Sequence, residues 1–218
     1  MKRFVAAAAA AAGIAMLGAQ PASATASAAA TAALARFDAA WAKVNSYTAT
    51  ITSHEALGTK TQDRVYDLYF VKPYDTRMNV ISGDDHGAEA AYQGGDRVKG
   101  HHGGFLSFLH LNLNIHNPQA TSLRGTTIAD ANFGALVDHV RGLAGATLDA
   151  IPDGDRTDIN VAVADPSADG NVTRERLVLG PDGLPVEIDQ WEGDTQVKLQ
   201  TYSDVKLNVD IPASEFTL

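Results

Sequence analysis

From Leu109 to Ile115 the chain alternates strictly: Leu109, Leu111, Leu113 and Ile115 are apolar, while His110, Asn112, Asn114 and His116 are polar. A period of two predicts a strand with one greasy face. The same period recurs in Tyr47–Leu57, through Tyr47, Ala49 and Ile51, and in Arg64–Val71, where Tyr66, Leu68 and Phe70 share a face. Shorter strands are predicted at Arg77–Ile81, Ala88–Gln93 and Arg97–His101, with Gly/Asp-rich turns between them. Ile159–Ala164, Thr173–Leu179, Leu184–Trp191 and Gln196–Val209 complete the set, and Ile151–Gly154 reads as a loop. Two stretches change to a helical period. Ala32–Val44 carries Leu34, Phe37, Trp41 and Val44, and Ile128–Leu143 carries Phe133, Leu136, Val137, Val140 and Leu143, with Asp130 placed to cap it. Thr25–Thr31 reads as a frayed tail. Strands that follow one another through short turns form an antiparallel sheet, and a sheet of nine or more strands must curl or close. The fold class is α+β and mainly antiparallel β, with about nine to eleven strands and helices covering the concave face.

Composition sets the compartment. Lys2 and Arg3, an apolar run from Phe4 to Leu17 and Ala22-Ser23-Ala24 have the order of a cleavable secretory signal peptide. The run is shorter than the ~20 residues a membrane-spanning helix needs. Cleavage after Ala24 leaves a single domain, residues 25–218, with Thr25 first. Without Lys2 and Arg3 the chain has 15 basic residues against 26 acidic, a charge of −11. Such a chain is a poor partner for nucleic acid, and it is expected to be soluble and monomeric or weakly associated. There is no cysteine, which excludes disulfides, thiol catalysis and Cys-bound metal.

Histidine is the first candidate for site chemistry, since four of the seven lie between His101 and His116. On a strand, His110 and His116 stand ~20 Å apart, and adjacent His101 and His102 point to opposite faces. These residues do not converge on one ion, and they read as solvated side chains of the outer face. Asp165, Ser167, Asp169 and Gly170 match the start of a calcium loop, but Arg176 stands at the position of its bidentate glutamate, so a hairpin turn is the plainer reading. His54-Glu55 begins like a zincin motif, with Gly58 where the second histidine belongs. No nucleophile elbow, phosphate loop or dinucleotide fingerprint occurs. No enzyme, metal or cofactor is expected. Arg64 and Arg77, basic residues in apolar strands, are either salt-bridge partners or headgroup ligands at a cavity rim.

Several stretches together resemble the LolA-like superfamily of outer-membrane lipoprotein-sorting carriers. They are the Phe37/Trp41 helix leading into Asn45–Ala49, the strand end Tyr69–Arg77, Gly183–Val186, and Val205–Val209 through Phe216. Tyr92–Gly95 and His101–Phe105 resemble an exported branch of unknown function, and the His/Asn-rich stretch 101–117 is not part of the carrier pattern. The resemblance implies an incomplete antiparallel barrel, a half-barrel, wrapped round helices, with an apolar cavity between them. It implies a periplasmic carrier or binding protein that sequesters a lipid or a lipoprotein acyl chain, with membrane-associated donor and acceptor proteins as partners. The expected ligand cavity is lined by Phe37, Trp41, Tyr66, Leu68, Phe70, Leu109, Leu111, Leu113, Phe133, Leu136, Val137 and Val140, and the resemblance places Arg77 at its mouth. Plain core packing is the ordinary alternative for Phe37 and Trp41. The other function considered is a periplasmic sensor or interaction domain that binds a protein segment along the open sheet edge.

Overall fold

A computed structural model describes residues 24–218; the signal-peptide assignment for 1–24 falls, but for Ala24, outside the described residues. One open sheet of twelve strands organises the chain. A short strand β1 (Thr25–Ala26) precedes helix α1 (Ala28–Trp41), and a meander follows: β2 (Ser46–Leu57), β3 (Lys60–Val71), β4 (Asp75–Gly83), β5 (Glu89–Tyr92), β6 (Arg97–His101) and β7 (Leu111–Asn114). A crossing segment, residues 115–127, leads through a 3-10 turn (Ile128–Ala131) into helix α2 (Phe133–Gly142). The second meander is β8 (Thr147–Asp153), β9 (Arg156–Ala162), β10 (Arg174–Leu179), β11 (Pro185–Glu192) and β12 (Thr195–Leu207). In space the order is β1-β8-β9-β10-β11-β12-β2-β3-β4-β5-β6-β7, so the two meanders are sewn together along a β12–β2 seam. Every pairing is antiparallel except β1 with β8. No helix among the described residues is long and apolar enough to cross a membrane.

The sheet has twelve strands against the expected nine to eleven, because two unpredicted strands, β1 and β8, form for local reasons. The tail at Thr25–Thr31 is ordered: Thr25 N–H donates to Ala146 O, Ser27 N–H donates to Leu148 O, and Ser27 Oγ caps α1 by accepting from Ala30 N–H. β8, of which only the end Ile151–Asp153 fell within a predicted loop, alternates only weakly, with Leu148 and Ala150 inward. The predicted helix 128–143 is broken at Asn132, whose extended backbone ends the 3-10 turn and whose Oδ1 caps α2 by accepting from Ala135 N–H. Asp130 caps the earlier turn instead, in a box with Thr127. Gly83 ends β4 with φ +86°; a Cβ there would lie 2.1 Å from Asp63 O, so only glycine closes this edge.

The inward face of the sheet changes character along each central strand, and this positions the site. Cross-strand rows run Tyr47–Phe70, then Tyr202–Ile51–Tyr66, then Gln200–Ser53–Arg64, then Lys198–Glu55–Gln62. At the apolar end α1 and α2 close over the sheet. Phe37, Tyr47, Leu68, Phe70, Phe133, Leu136, Val137 and Val140 form one buried cluster. Tyr47 stacks on Phe133 with ring centroids 4.4 Å apart, Tyr202 meets Phe133 edge-on at 5.1 Å, and Trp41 packs against Phe70 at 5.8 Å. The phenols are satisfied: Tyr47 Oη accepts from Phe133 N–H and Tyr202 Oη donates to Ala131 O. Burial pushes both phenols well above their ordinary range, so they stay neutral donors or acceptors.

Candidate functional site

Towards the polar end of the rows the helices no longer reach. There the crossing segment bridges the sheet and leaves a cleft of about 830 Å³ between itself and β2–β7. That volume lies in the range of small-molecule and lipid sites, ~300–1,000 Å³. One wall is apolar: Tyr66, Met78, Val80, Val98, Leu111, Leu113 and Ile128. It rests on a second small core in which Ile115 of the crossing segment and Ile128 of the 3-10 turn after it pack on Val98. The opposite wall is polar, with Ser53, Glu55, Gln62, Arg64 and Gln200 from the sheet and Ser122 and Thr126 from the segment.

Buried charge holds the segment down. Glu55, 1% exposed, accepts from Ser122 Oγ at 2.9 Å and from Arg124 N–H at 2.8 Å. Lys198 Nζ lies 3.4 Å from Glu55 Oε1 and donates to Thr126 Oγ1 at 2.8 Å. Gln62 Oε1 accepts from Leu123 N–H, and the Arg124 guanidinium donates to Ala56 O, Gly170 O and Glu192. Both buried ions are thus paired and hydrogen-bonded, the condition under which burial of charge is tolerated. The alternation of β2 continues into Ser53 and Glu55, and it is the signal that could have located this wall.

Arg64 is the group on the polar wall with unused capacity. It donates to Tyr66 Oη at 3.3 Å and pairs with Asp85. Its Nε is buried and has no hydrogen-bond partner. An arginine offers five donors in a fixed fork, so this one can still take up a further oxygen.

Of the cavity residues expected from sequence, Tyr66, Leu111 and Leu113 line the cleft. Phe37, Leu68, Phe70, Phe133, Leu136, Val137 and Val140 do not; with Trp41 packed against them they fill the closed core beneath the helices. Leu109 is 44% exposed in the loop before β7, because the strand begins only at Leu111. Arg77 does not line the cleft, although its partner Glu89 does. Its guanidinium bonds Glu89, Asn79 Oδ1 and Glu215 O, which ties the C-terminal 3-10 turn Ala213–Phe216 to the sheet. The histidines keep their solvated reading only in part: His110 and His116 are exposed, whereas His101 and His102 are half-buried. His101, His102 and His116 line the cleft, and the loop 102–110 folds back so that the His101 and His110 rings meet at 6.3 Å.

No protein-family profile matches the sequence, and no curated protein matches it. Solved structures do match. The crystal structure of MucB aligns with 88% of this chain at 15% identity and a TM-score of 0.54, and the chain spans 63% of MucB. A LolA superfamily protein from Nitrosomonas europaea aligns with 88% of this chain and 99% of its own length at 13% identity and a TM-score of 0.45. A putative outer membrane lipoprotein-sorting protein domain from Vibrio parahaemolyticus aligns with 85% of this chain and 95% of its own length, at 10% identity and a TM-score of 0.44. At such identities the likeness concerns architecture alone, and this chain shares its fold with part of MucB.

Proposed function

We propose that the protein is a binding protein or carrier that sequesters the acyl chain of a lipid or lipoprotein in the cleft between β2–β7 and the crossing segment. The observation that carries this reading is the two-sided wall. An apolar floor from Met78 and Val80 to Leu113 and Ile128 ends beside Arg64, whose Nε has no partner. This is the arrangement an amphipathic ligand needs: each buried methylene contributes about 0.8 kcal/mol, and an anionic head adds a charge-assisted hydrogen bond. Native mass spectrometry of protein purified from its own compartment tests the reading, with co-purified lipid as the expected result. Titration with a fluorescent fatty acid gives a second readout. Arg64→Ala is expected to weaken binding by about tenfold or more, since hydrogen bonds to charged groups contribute about 1.5–3 kcal/mol. Absence of lipid together with absence of fatty-acid binding rejects the carrier.

A second reading rests on a different observation. β7 is a sheet edge, and the loop before it presents Phe105 and Phe108, 90% and 63% exposed, with Leu109. An open edge beside exposed aromatics suits a protein segment that adds a strand. Under this reading Phe105→Ser/Phe108→Ser abolishes capture of the partner segment and leaves fatty-acid binding unchanged. Loss of fatty-acid binding in that double variant counts against a separate edge site.

A further inference from the structure

A second cluster lies outside the cleft, where α2 passes over β10. His139 comes from α2, Glu175 from β10, and Asp169 from the end of the 3-10 turn Pro166–Asp169. His139 Nε2 is 2.9 Å from Glu175 Oε1 and 3.9 Å from Asp169 Oδ1. One ligand atom from each of the three residues lies within 4.8 Å of the others. The Glu175 side chain is fully buried. Gln190 Nε2 donates to its Oε1 at 2.6 Å and orients it, but Oε2 has no partner. Asp169 Oδ2 is likewise buried and unpartnered. Burial and the adjacent Glu175 carboxylate push the Asp169 carboxyl up to about 6.

Two carboxylates facing each other, Glu175 fully buried and Asp169 15% exposed, need a positive charge between them. The cations around them are committed elsewhere: Lys198 to Thr126 and Glu55, Arg124 to Ala56 O, Gly170 O and Glu192. His139 donates to one oxygen, which leaves Glu175 Oε2 and Asp169 Oδ2 without a donor. A divalent ion satisfies all three residues at once.

We propose that His139, Asp169 and Glu175 bind a divalent transition-metal ion of the zinc class. One imidazole nitrogen and two carboxylate oxygens suit zinc at bond lengths of about 2.0–2.2 Å. The nitrogen donor disfavours calcium and magnesium, which take oxygen ligands. Ion binding replaces the proton that Nε2 shares with Glu175 and releases it to solvent. Three protein ligands leave a coordination position for water, and the partly exposed His139 supplies the entry path. Gln190 acts as a positioning residue, holding the Glu175 carboxylate toward the ion. The spacing 139, 169, 175 has no motif form, and the sequence singles out only Asp169 of the three, in its partial calcium-loop match.

Isothermal titration of the chelator-treated protein with zinc at pH 7.5 tests the site. One equivalent is expected. His139→Gln and Asp169→Asn, both at partly exposed positions, should each weaken it by about tenfold or more, with circular dichroism confirming the fold. Cobalt gives an independent readout, because its visible absorption bands should change in His139→Gln. His101→Ala/His102→Ala should leave affinity and stoichiometry unaltered. Zinc bound equally by His139→Gln and Asp169→Asn, zinc lost in the His101/His102 variant, or no zinc bound at all overturns the proposal.

Discussion

Val137→Glu is expected to unfold the protein, with circular dichroism showing loss of the sheet signal. Val137 is 0% exposed and sits one turn from both Phe133 and Val140, within a cluster that also holds Phe37, Tyr47, Leu68 and Phe70. The new carboxylate meets aromatic rings on one side and the apolar end of β2 and β3 on the other. The residues of that cluster are apolar or aromatic and offer the carboxylate no opposite charge. Burying an unpaired charge or unsatisfied polar group belongs to the small class of substitutions that cost more than about 4–5 kcal/mol, against a total stability of ~5–15 kcal/mol. Phe133→Ala is the milder version: it removes the ring that stacks on Tyr47 and should cost about 3–5 kcal/mol, visible as a lowered urea midpoint. A folded Val137→Glu protein that has lost only lipid binding would put the ligand beneath the helices and return the cavity to the place the resemblance implied.

Glu55→Ala should come next in severity. It removes the acceptor for Ser122 and Arg124 and leaves the Lys198 ammonium, 4% exposed, with Thr126 alone. Breaking a buried pair by deleting one partner costs about 3–5 kcal/mol, chiefly because the other charge stays buried. The crossing segment should also come loose, so limited proteolysis should cut within 115–127 in the variant and not in the parent. Glu55→Leu/Lys198→Met should recover part of the loss, since an apolar pair of similar volume is often no worse than the ions it replaces. Equal urea midpoints for parent and Glu55→Ala would show that the segment is held by its apolar anchors, Ile115 and Ile128, instead.

Much of the fold was legible because periodicity reports which face of an element is apolar. β2, β3, β10, β11 and β12 stand close to where alternation put them, and α1 and α2 present the predicted stripes to the core. Periodicity is silent on what that face meets. The stripe Phe133, Leu136, Val137, Val140 is equally compatible with a lined cavity and a filled core, and the aromatic side chains Tyr47, Phe70 and Tyr202 fill it. β1 and β8 escaped because two-residue pairing and alternation carried by Leu148 and Ala150 leave too little contrast. The polar wall was hidden for the opposite reason: Glu55, Gln62 and Lys198 look like surface residues until the crossing segment covers them. His139, Asp169 and Glu175 meet only through tertiary structure, so no local pattern announces them.

The β12–β2 seam bears on how the chain becomes a protein at all. It joins residues 195–207 to residues 46–57 with everything from 58 to 194 between them. Contacts so distant in sequence are slow to form, because loop-closure entropy is lost before any pairing returns it. Each meander can assemble by itself as its strands are synthesised, but β2 and β11 then stand as raw edges, open to any extended chain nearby. Neither edge is paired until Thr195–Leu207, the last strand of the sheet in chain order, threads between them. A nascent chain must therefore be kept from self-association until β12 arrives.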